Sequence, residues 1–310
     1  MIDESLVDEK TGRKFYLAHP EQLRADDKLT FLLNLHGGGS FGAWQRLYFP
    51  AQDYVDRYRL VVATPTAATS EPMRRWVAEA DDEHLRSVVE IVFERFGLHN
   101  IASFWLVGHS QGGMTSNRLL STNYFAQRVD GWLSLSGGRF GRAELVEDFG
   151  PPLQPGQESR WPTPDGRRPM FTPPPVPTAD LSFIFATGEH EIVVLPGTSP
   201  WAAKYGAGPR RRLADVVDVE PGQTYDKVRA GRSSKSWGLE PKPGTAEVYV
   251  YPDAQGGWVV ADVVRLDKGH TEGLEPNITE ELVKMMISAP GGKARTLLDG
   301  APSSAAAAPI

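Results

Sequence analysis

The segment Gly108-His109-Ser110-Gln111-Gly112 places a serine between two glycines. Residues 102–107 before it are mostly apolar, as in a buried strand, and residues 111–120 after it are predicted to be helical. Glycines tolerate the close backbone packing of a sharp strand-to-helix turn. Such a turn exposes the serine Oγ beside the N–H groups of a helix N-terminus, which suits a nucleophile whose reaction generates an oxyanion. Ser110 is therefore the predicted nucleophile, and Gln111 a predicted oxyanion donor.

A second glycine segment, His36-Gly37-Gly38-Gly39, follows an apolar strand predicted over 29–35. Its backbone N–H groups can approach a developing negative charge closely, so Gly38 and Gly39 are predicted to complete the oxyanion hole. His36 is interpreted as a structural bridge rather than a base. The spacing lacks the further glycine and the downstream acidic residue of a dinucleotide-binding loop. A nucleophile turn preceded by such a loop is typical of the α/β-hydrolase fold.

The general base is predicted from chain order. Enzymes of this fold carry nucleophile, acid and histidine in that order, each after a strand. Of the seven histidines, only His190 and His270 follow the serine segment. His270 lies between the last predicted strand, 258–266, and a helix predicted over 278–287, and is the predicted general base.

The acid is predicted in the segment Gly188-Glu189-His190-Glu191, at the carboxyl end of a strand predicted over 181–186. Glu191 occupies the position after the glycine where this fold carries its acid, and it is the predicted partner of His270. Glu189 is the alternative. Asp267, three residues before His270, is interpreted as a turn former.

Predicted strands and helices alternate along the chain, which indicates an α/β fold in one domain over 1–290. A mostly parallel central sheet with helices on both faces is expected, a three-layer α/β sandwich. Segments 137–178 and 196–243 are predicted to be irregular insertions that line the active site, the first lying over it. The segment 291–310 is predicted to be a disordered tail.

Five aromatic residues are candidates for an acyl or aryl pocket, although ordinary packing is the alternative for each. They are Trp44, Tyr48, Trp76, Trp201 and Tyr205.

The composition excludes several kinds of chemistry. The chain has no cysteine, so disulfides, thiolate catalysis and cysteine-ligated metals are ruled out. The histidines lack ligand spacing, and neither a metal nor an organic cofactor is expected. A net charge of −6 and the absence of long apolar runs argue against nucleic-acid and membrane partners. Residues 1–10 do not resemble a signal peptide, which predicts a cytoplasmic protein, or a secreted one if a leader has been removed.

From about Gly12 to Met286 the chain resembles the branch of α/β-hydrolase serine esterases that contains polyhydroxyalkanoate depolymerases and feruloyl and acetylxylan esterases. The resemblance rests on both glycine motifs, on the segment from Gly188 to Glu191 and on Gly269-His270-Thr271. Arg75-Trp76 and Asp81-Asp82 support it. Many relatives carry Asp at the position of Glu191 and contain cysteine pairs. The resemblance implies hydrolysis of a small-molecule or polymeric ester through an acyl-enzyme intermediate.

Two alternative functions, amide hydrolysis and non-catalytic binding, are also compatible with this fold. The same triad could hydrolyse amides, but the chain has no repeat periodicity of the kind that would form a propeller to select peptide ends. A non-catalytic binding protein on this scaffold is the third hypothesis, and the intact Ser110 and His270 argue against it.

Overall fold

The computed structural model describes residues 1–24, 26–71, 73–138, 176–191, 195–223, 238 and 241–299, with only the backbone at 298 and 299. No helix in these parts of the chain is both long and apolar enough to cross a membrane.

Eleven strands of the described residues form one sheet, in the order β1-β2-β4-β3-β5-β6-β7-β11-β10-β8, with β9 also paired to β10. The strands are Ile2–Asp8 (β1), Arg13–His19 (β2), Leu29–Leu35 (β3), Leu60–Pro65 (β4), Ile101–His109 (β5), Gly131–Leu135 (β6), Ser182–Gly188 (β7), Arg211–Arg212 (β8), Val216–Val217 (β9), Thr245–Val250 (β10) and Val260–Arg265 (β11).

The six central strands, from β4 through β11 in the sheet order, run parallel, and both edges are antiparallel. Strands β3, β4, β6, β7 and β11 are buried at every position. This burial explains their near-continuous apolar sequences, because a parallel sheet is covered on both faces.

Helices cover both faces of the sheet, and two separate apolar cores lie beneath them. The helices are Gly42–Tyr48 (α1), Val55–Tyr58 (α2), Ala78–Phe96 (α3), Gln111–Leu120 (α4), Asn123–Ala126 (α5), Pro200–Lys204 (α6), Pro276–Ser288 (α7) and Lys293–Asp299 (α8). Residues of α3, α4, α5, α6 and α8 contribute to one core, and residues of α1, α2 and α7 to the other. The predicted α/β architecture is confirmed.

The segment 196–243 differs from the irregular insertion that the sequence predicts. Its described part contains α6, β8 and β9, and the two short strands pair with β10 at the sheet edge. Of the segment 137–178, only 137–138 and 176–178 lie among the described residues. Its expected position over the active site therefore stays a prediction.

The prediction of a disordered tail from residue 291 is wrong for residues 293–299, because they form α8. The Lys293 N–H donates to the Asp130 carboxylate at 3.0 Å, and its Nζ donates to the Val129 carbonyl at 2.8 Å. Ala294 is buried in the core. These contacts hold the helix against the sheet, whereas residues 300–310 lie outside the described part.

Candidate active site

Ser110 lies at the turn between β5 and α4, with backbone angles φ 51° and ψ −116°. A non-glycine residue rarely adopts a positive φ, and the surrounding packing must impose it. A Cβ on Gly108 would lie 2.3 Å from the Gly112 carbonyl carbon, and one on Gly112 would lie 2.3 Å from the Leu35 oxygen. The two glycines are therefore required by the close approach of helix, turn and neighbouring strand.

His270 follows β11 and meets Ser110 from across the sheet. Its Nε2 lies 2.9 Å from Ser110 Oγ, and its Nδ1 lies 2.5 Å from Glu191 Oε2. With Nδ1–H donating to the carboxylate, Nε2 is left to accept the serine proton. The structure thus brings together the three residues that the sequence predicts as nucleophile, base and acid.

Glu191 follows β7 in a single turn of 3-10 helix, and its other oxygen is also bound. Oε1 accepts the Ser136 hydroxyl proton at 2.7 Å and the Gly188 N–H at 2.9 Å. Ser136 directly follows β6, so the carboxyl ends of two adjacent strands fix the carboxylate. This fixed carboxylate can orient the imidazole and stabilise its protonated form.

The alternative acids are engaged elsewhere. Glu189 accepts the Asp267 N–H at 2.7 Å, while the Asp267 carboxylate binds His190 Nε2 at 2.7 Å and pairs with Lys242. These contacts with Lys242 and His190 lower the pKa of Asp267 to about 2. The geometry therefore favours Glu191.

His109 and Tyr48 lie beneath His270. His109 Nε2 donates to the His270 carbonyl at 2.9 Å, and the Tyr48 ring stacks on His109 with centroids 3.8 Å apart. Burial, followed by the proximity of His270, lowers the pKa of His109 well below its ordinary value. His109 stays neutral and can hold the His270 backbone without adding a positive charge.

Of the three predicted oxyanion donors, Gln111 directly follows Ser110, and Gly38 lies beside the Gln111 side chain. Gln111 is the first residue of α4, so its N–H has no acceptor within the helix. A Cβ on Gly38 would lie 3.6 Å from Gln111 Oε1. The prediction for Gly39 is wrong, because its N–H donates to the Arg74 carbonyl at 2.7 Å.

The glycine segment 36–39 is held by the segment that follows β4. His36 Nδ1 donates to the Gly37 carbonyl at 2.7 Å, and its Nε2 accepts the Ala67 N–H at 3.0 Å. Trp76 Nε1 donates to the His36 carbonyl at 2.8 Å. Burial lowers the pKa of His36 to about 4. These contacts match the predicted bridging role of His36.

The structure does not bring the five predicted pocket aromatics together. Trp201 is fully buried and stacks on Phe183, and the Tyr205 hydroxyl binds the backbone of Leu181. Both contacts lie at the amino end of β7, opposite the edge where Ser110 lies, so this pocket prediction is wrong for Trp201 and Tyr205. The sequence of the segment that carries Trp201 and Tyr205 does not indicate which end of the sheet its aromatic side chains cover.

Among the other predicted pocket residues, Tyr48 and Trp76 are buried and support His109 and His36. Trp44 on α1 is partly buried and packs edge-on against exposed Phe41. The pocket roles of Trp44, Tyr48 and Trp76 therefore stay predictions.

A buried charge network holds the loop that carries His270. Arg265 donates to the carbonyls of Glu272 and Gly273, each at 2.7 Å, and pairs with Glu275. Lys268 lies 2.6 Å from the same carboxylate. Burial acts to raise the pKa of Glu275, but the two cations hold it below its ordinary value. The network is thus charged, and it fixes the loop on both sides of His270.

Sequence reasoning missed Ser136, His109 and this network. Ser136 follows a parallel strand at the carboxyl edge, where polar side chains meet functional residues, and that position was an available signal. His109 lies inside the serine segment, and chain order points to a later histidine as the base. No pattern in the sequence pairs Arg265 with Glu275 across the histidine loop.

No protein-family model matches the chain, and no curated protein matches it. Among solved structures it is similar to an acetyl xylan esterase from Aspergillus awamori, with 12% identity, a TM-score of 0.52, and 92% of this chain and 99% of that one covered. A protein of Thermus thermophilus has 17% identity and a TM-score of 0.49, with 93% and 100% covered. FphF, a fluorophosphonate-binding serine hydrolase of Staphylococcus aureus, has 15% identity and a TM-score of 0.37, with 61% and 79% covered. The first similarity and the sheet topology show that the chain has the α/β-hydrolase fold.

Proposed function

We propose that the chain is a serine hydrolase that cleaves carboxylic esters through an acyl-enzyme intermediate. The observation that carries this proposal is the pair of hydrogen bonds that links Ser110 to His270 and His270 to Glu191. The serine also lies on a strained turn at a helix N-terminus. In this mechanism Ser110 Oγ attacks the ester carbonyl as His270 accepts its proton. His270 then returns the proton to the leaving alcohol, which leaves the acyl group on Ser110. In the second half-reaction water attacks the acyl-enzyme, with His270 again accepting and returning the proton, and the acid is released.

Gln111 and Gly38 are the proposed donors to the oxyanion of the tetrahedral intermediate. The N-terminus of α4 adds a positive partial charge at the same place. Donors fixed before the reaction stabilise a developing charge without reorganising, which is commonly the largest contribution to catalysis of acyl transfer.

The choice of ester over amide has two supports. The resemblance in sequence is to polyhydroxyalkanoate depolymerases and feruloyl esterases, and the structural neighbour from Aspergillus is an acetyl xylan esterase. Each of these enzyme names refers to the hydrolysis of a carboxylic ester. The substrate proposed here is therefore a small-molecule or polymeric ester, without a metal or organic cofactor.

The test is hydrolysis of p-nitrophenyl acetate by the wild-type protein and by Ser110→Ala, with Ser121→Ala as matched control. Ser121 is an exposed serine just after α4. Turnover in the wild type and the control, and its loss in Ser110→Ala, is the expected result. Hydrolysis of p-nitroanilides in preference to p-nitrophenyl esters would instead identify an amidase.

A further inference from the structure

Two methionines are exposed beside the proposed oxyanion hole. The exposed fractions of Met73 and Met114 are 51% and 60%, whereas Met285 and Met286 are buried. Methionine is usually buried in proteins, and neighbouring exposed apolar side chains commonly mark a binding surface. The position of this pair relative to Ser110 indicates what it binds.

Met73 lies against the glycine segment 36–39. A Cβ on Gly38 would lie 3.5 Å from Met73 Cε, and one on Gly39 would lie 3.5 Å from Met73 Sδ. The same point on Gly38 is 3.6 Å from Gln111 Oε1, so the side chains of Met73 and Gln111 are neighbours.

Met114 lies one helical turn after Ser110 and donates its N–H to the Ser110 carbonyl at 3.2 Å. It is three residues after Gln111, and residues at this spacing are neighbours on one side of a helix. Met73, Gln111 and Met114 therefore form one partly exposed strip, the methionine strip, which begins at the oxyanion donors.

The geometry of acyl transfer assigns a substrate group to this strip. The leaving oxygen must lie near His270 Nε2, from which it receives a proton, and the oxyanion lies at Gly38 and Gln111. The acyl chain is the remaining substituent on the carbonyl carbon, on the side away from His270. We propose that the methionine strip binds the acyl chain of an ester of a medium-length aliphatic acid, which rests on the ester hydrolysis proposed above.

The chemistry of the strip fits such a chain. Methionine side chains are unbranched and flexible, so they adapt to an alkyl chain of variable conformation. The nearest charged residue along this side of α4 is Arg118, whose guanidinium pairs with Asp82. The aromatic side chains of Trp201 and Tyr205, in contrast, lie in the core at the opposite edge of the sheet.

The experiment compares kcat/KM for p-nitrophenyl acetate, butyrate and octanoate, below the solubility limit of each. The variants are Met73→Gln, Met114→Gln and the double substitution, with Met73→Leu/Met114→Leu as the apolar counterpart. Ile287→Gln is the control, because Ile287 is 38% exposed near the end of α7, which runs away from the active-site edge. Thermal unfolding of every variant checks that the fold is retained.

We expect the wild type to prefer octanoate to acetate. The double glutamine variant should lower the octanoate-to-acetate ratio of kcat/KM about tenfold, the effect of removing apolar contact from one or two methylene groups. The leucine pair and Ile287→Gln should keep the wild-type ratio within about twofold, since both retain an apolar strip. An unchanged ratio in the glutamine variants, or a wild type that prefers acetate, would overturn this inference alone. No turnover of any ester by the wild type would overturn the proposed function as well.

Discussion

At the scale of single residues, the proposed mechanism depends on the charge of Glu191. Glu191→Gln preserves the size of the side chain but removes the carboxylate that stabilises the protonated imidazole. We expect kcat for p-nitrophenyl acetate to fall about 10³-fold or more, with a smaller change in KM. Glu189→Gln is the matched control, and it should retain most of the activity because Glu189 binds the Asp267 backbone. Equal losses in both variants would contradict the assignment of the acid.

His109 is a positioning residue in the same account, because it acts on the backbone of His270. His109→Phe keeps a ring between Tyr48 and His270 but removes the hydrogen bond to the His270 carbonyl. We expect kcat to fall about tenfold with little change in KM, the effect of a misplaced base. Steady-state kinetics measure this. His109→Gln, which can restore a donor, should recover part of the loss, and a rise in KM alone would argue against a positioning role.

The residues of the site were predictable to different degrees. Ser110 and His270 follow from a motif and from chain order, and Glu191 follows from its place after a glycine at a strand end. Gly39 was not predictable in the same way. Whether its N–H is available depends on the Arg74 carbonyl, which a distant loop brings to it. Motifs indicate which backbone groups are near a site, but not which already have a partner.

At the scale of elements, the loop between β11 and α7 depends on a buried charge network. Glu275→Gln would leave Arg265 and Lys268 buried beside a neutral amide. We expect the free energy of unfolding to fall by about 3 kcal/mol, as when one partner of a buried ion pair is removed. Urea unfolding measures the change. Asp215→Asn, which affects an exposed pair with Arg212, should cost less than about 1 kcal/mol.

Elements whose burial is regular were predictable, and those held by specific contacts were not. Strands β3, β5 and β7 are apolar runs that end at or near a glycine, and the predicted ranges 29–35, 102–107 and 181–186 match them to within two residues. Strand β1 has mostly exposed side chains and no apolar alternation, so no pattern indicates it. Helix α8 is held by contacts of Lys293 and Ala294 with the sheet, which a composition rich in glycine and alanine does not reveal.

At the scale of the whole molecule, buried histidines predict a loss of stability in mild acid. Burial lowers the pKa of His36, His84 and His109, to about 4 for His36. The same groups titrate near 6.5 in the unfolded chain, which therefore binds protons first as the pH falls. The part of the free energy of unfolding that these neutral histidines contribute is fully present well above pH 6.5. It is lost as the pH falls from about 6.5 towards their folded-state pKa values.

The expected loss from His36 alone is about 2 kcal/mol between pH 7 and pH 5, above the range where most carboxyl groups titrate. Urea unfolding at the two pH values measures it. His84→Gln should make the fall smaller than in the wild type, because one titrating group is removed. A protein equally stable at both pH values would contradict the burial of these neutral histidines.

The architecture as a whole was predictable from the alternation of apolar strands with amphipathic helices. The distribution of residues between the two ends of the sheet was not. Trp201 and Tyr205 come from a segment between two strands, which can cover either end, and here they pack at the amino end of β7. The sequence therefore indicates the sheet and the edge that carries the candidate site, but not which aromatic residues line that edge.

The central claim, that Ser110 is an activated nucleophile, is tested most directly by covalent labelling with a fluorophosphonate and intact mass measurement. We predict one phosphonyl group per chain, located at Ser110 by peptide mapping, and none in Ser110→Ala. His270→Ala should slow labelling strongly, because the serine loses its base. A folded wild-type protein that remains unlabelled, or that is labelled equally in Ser110→Ala, would contradict the account.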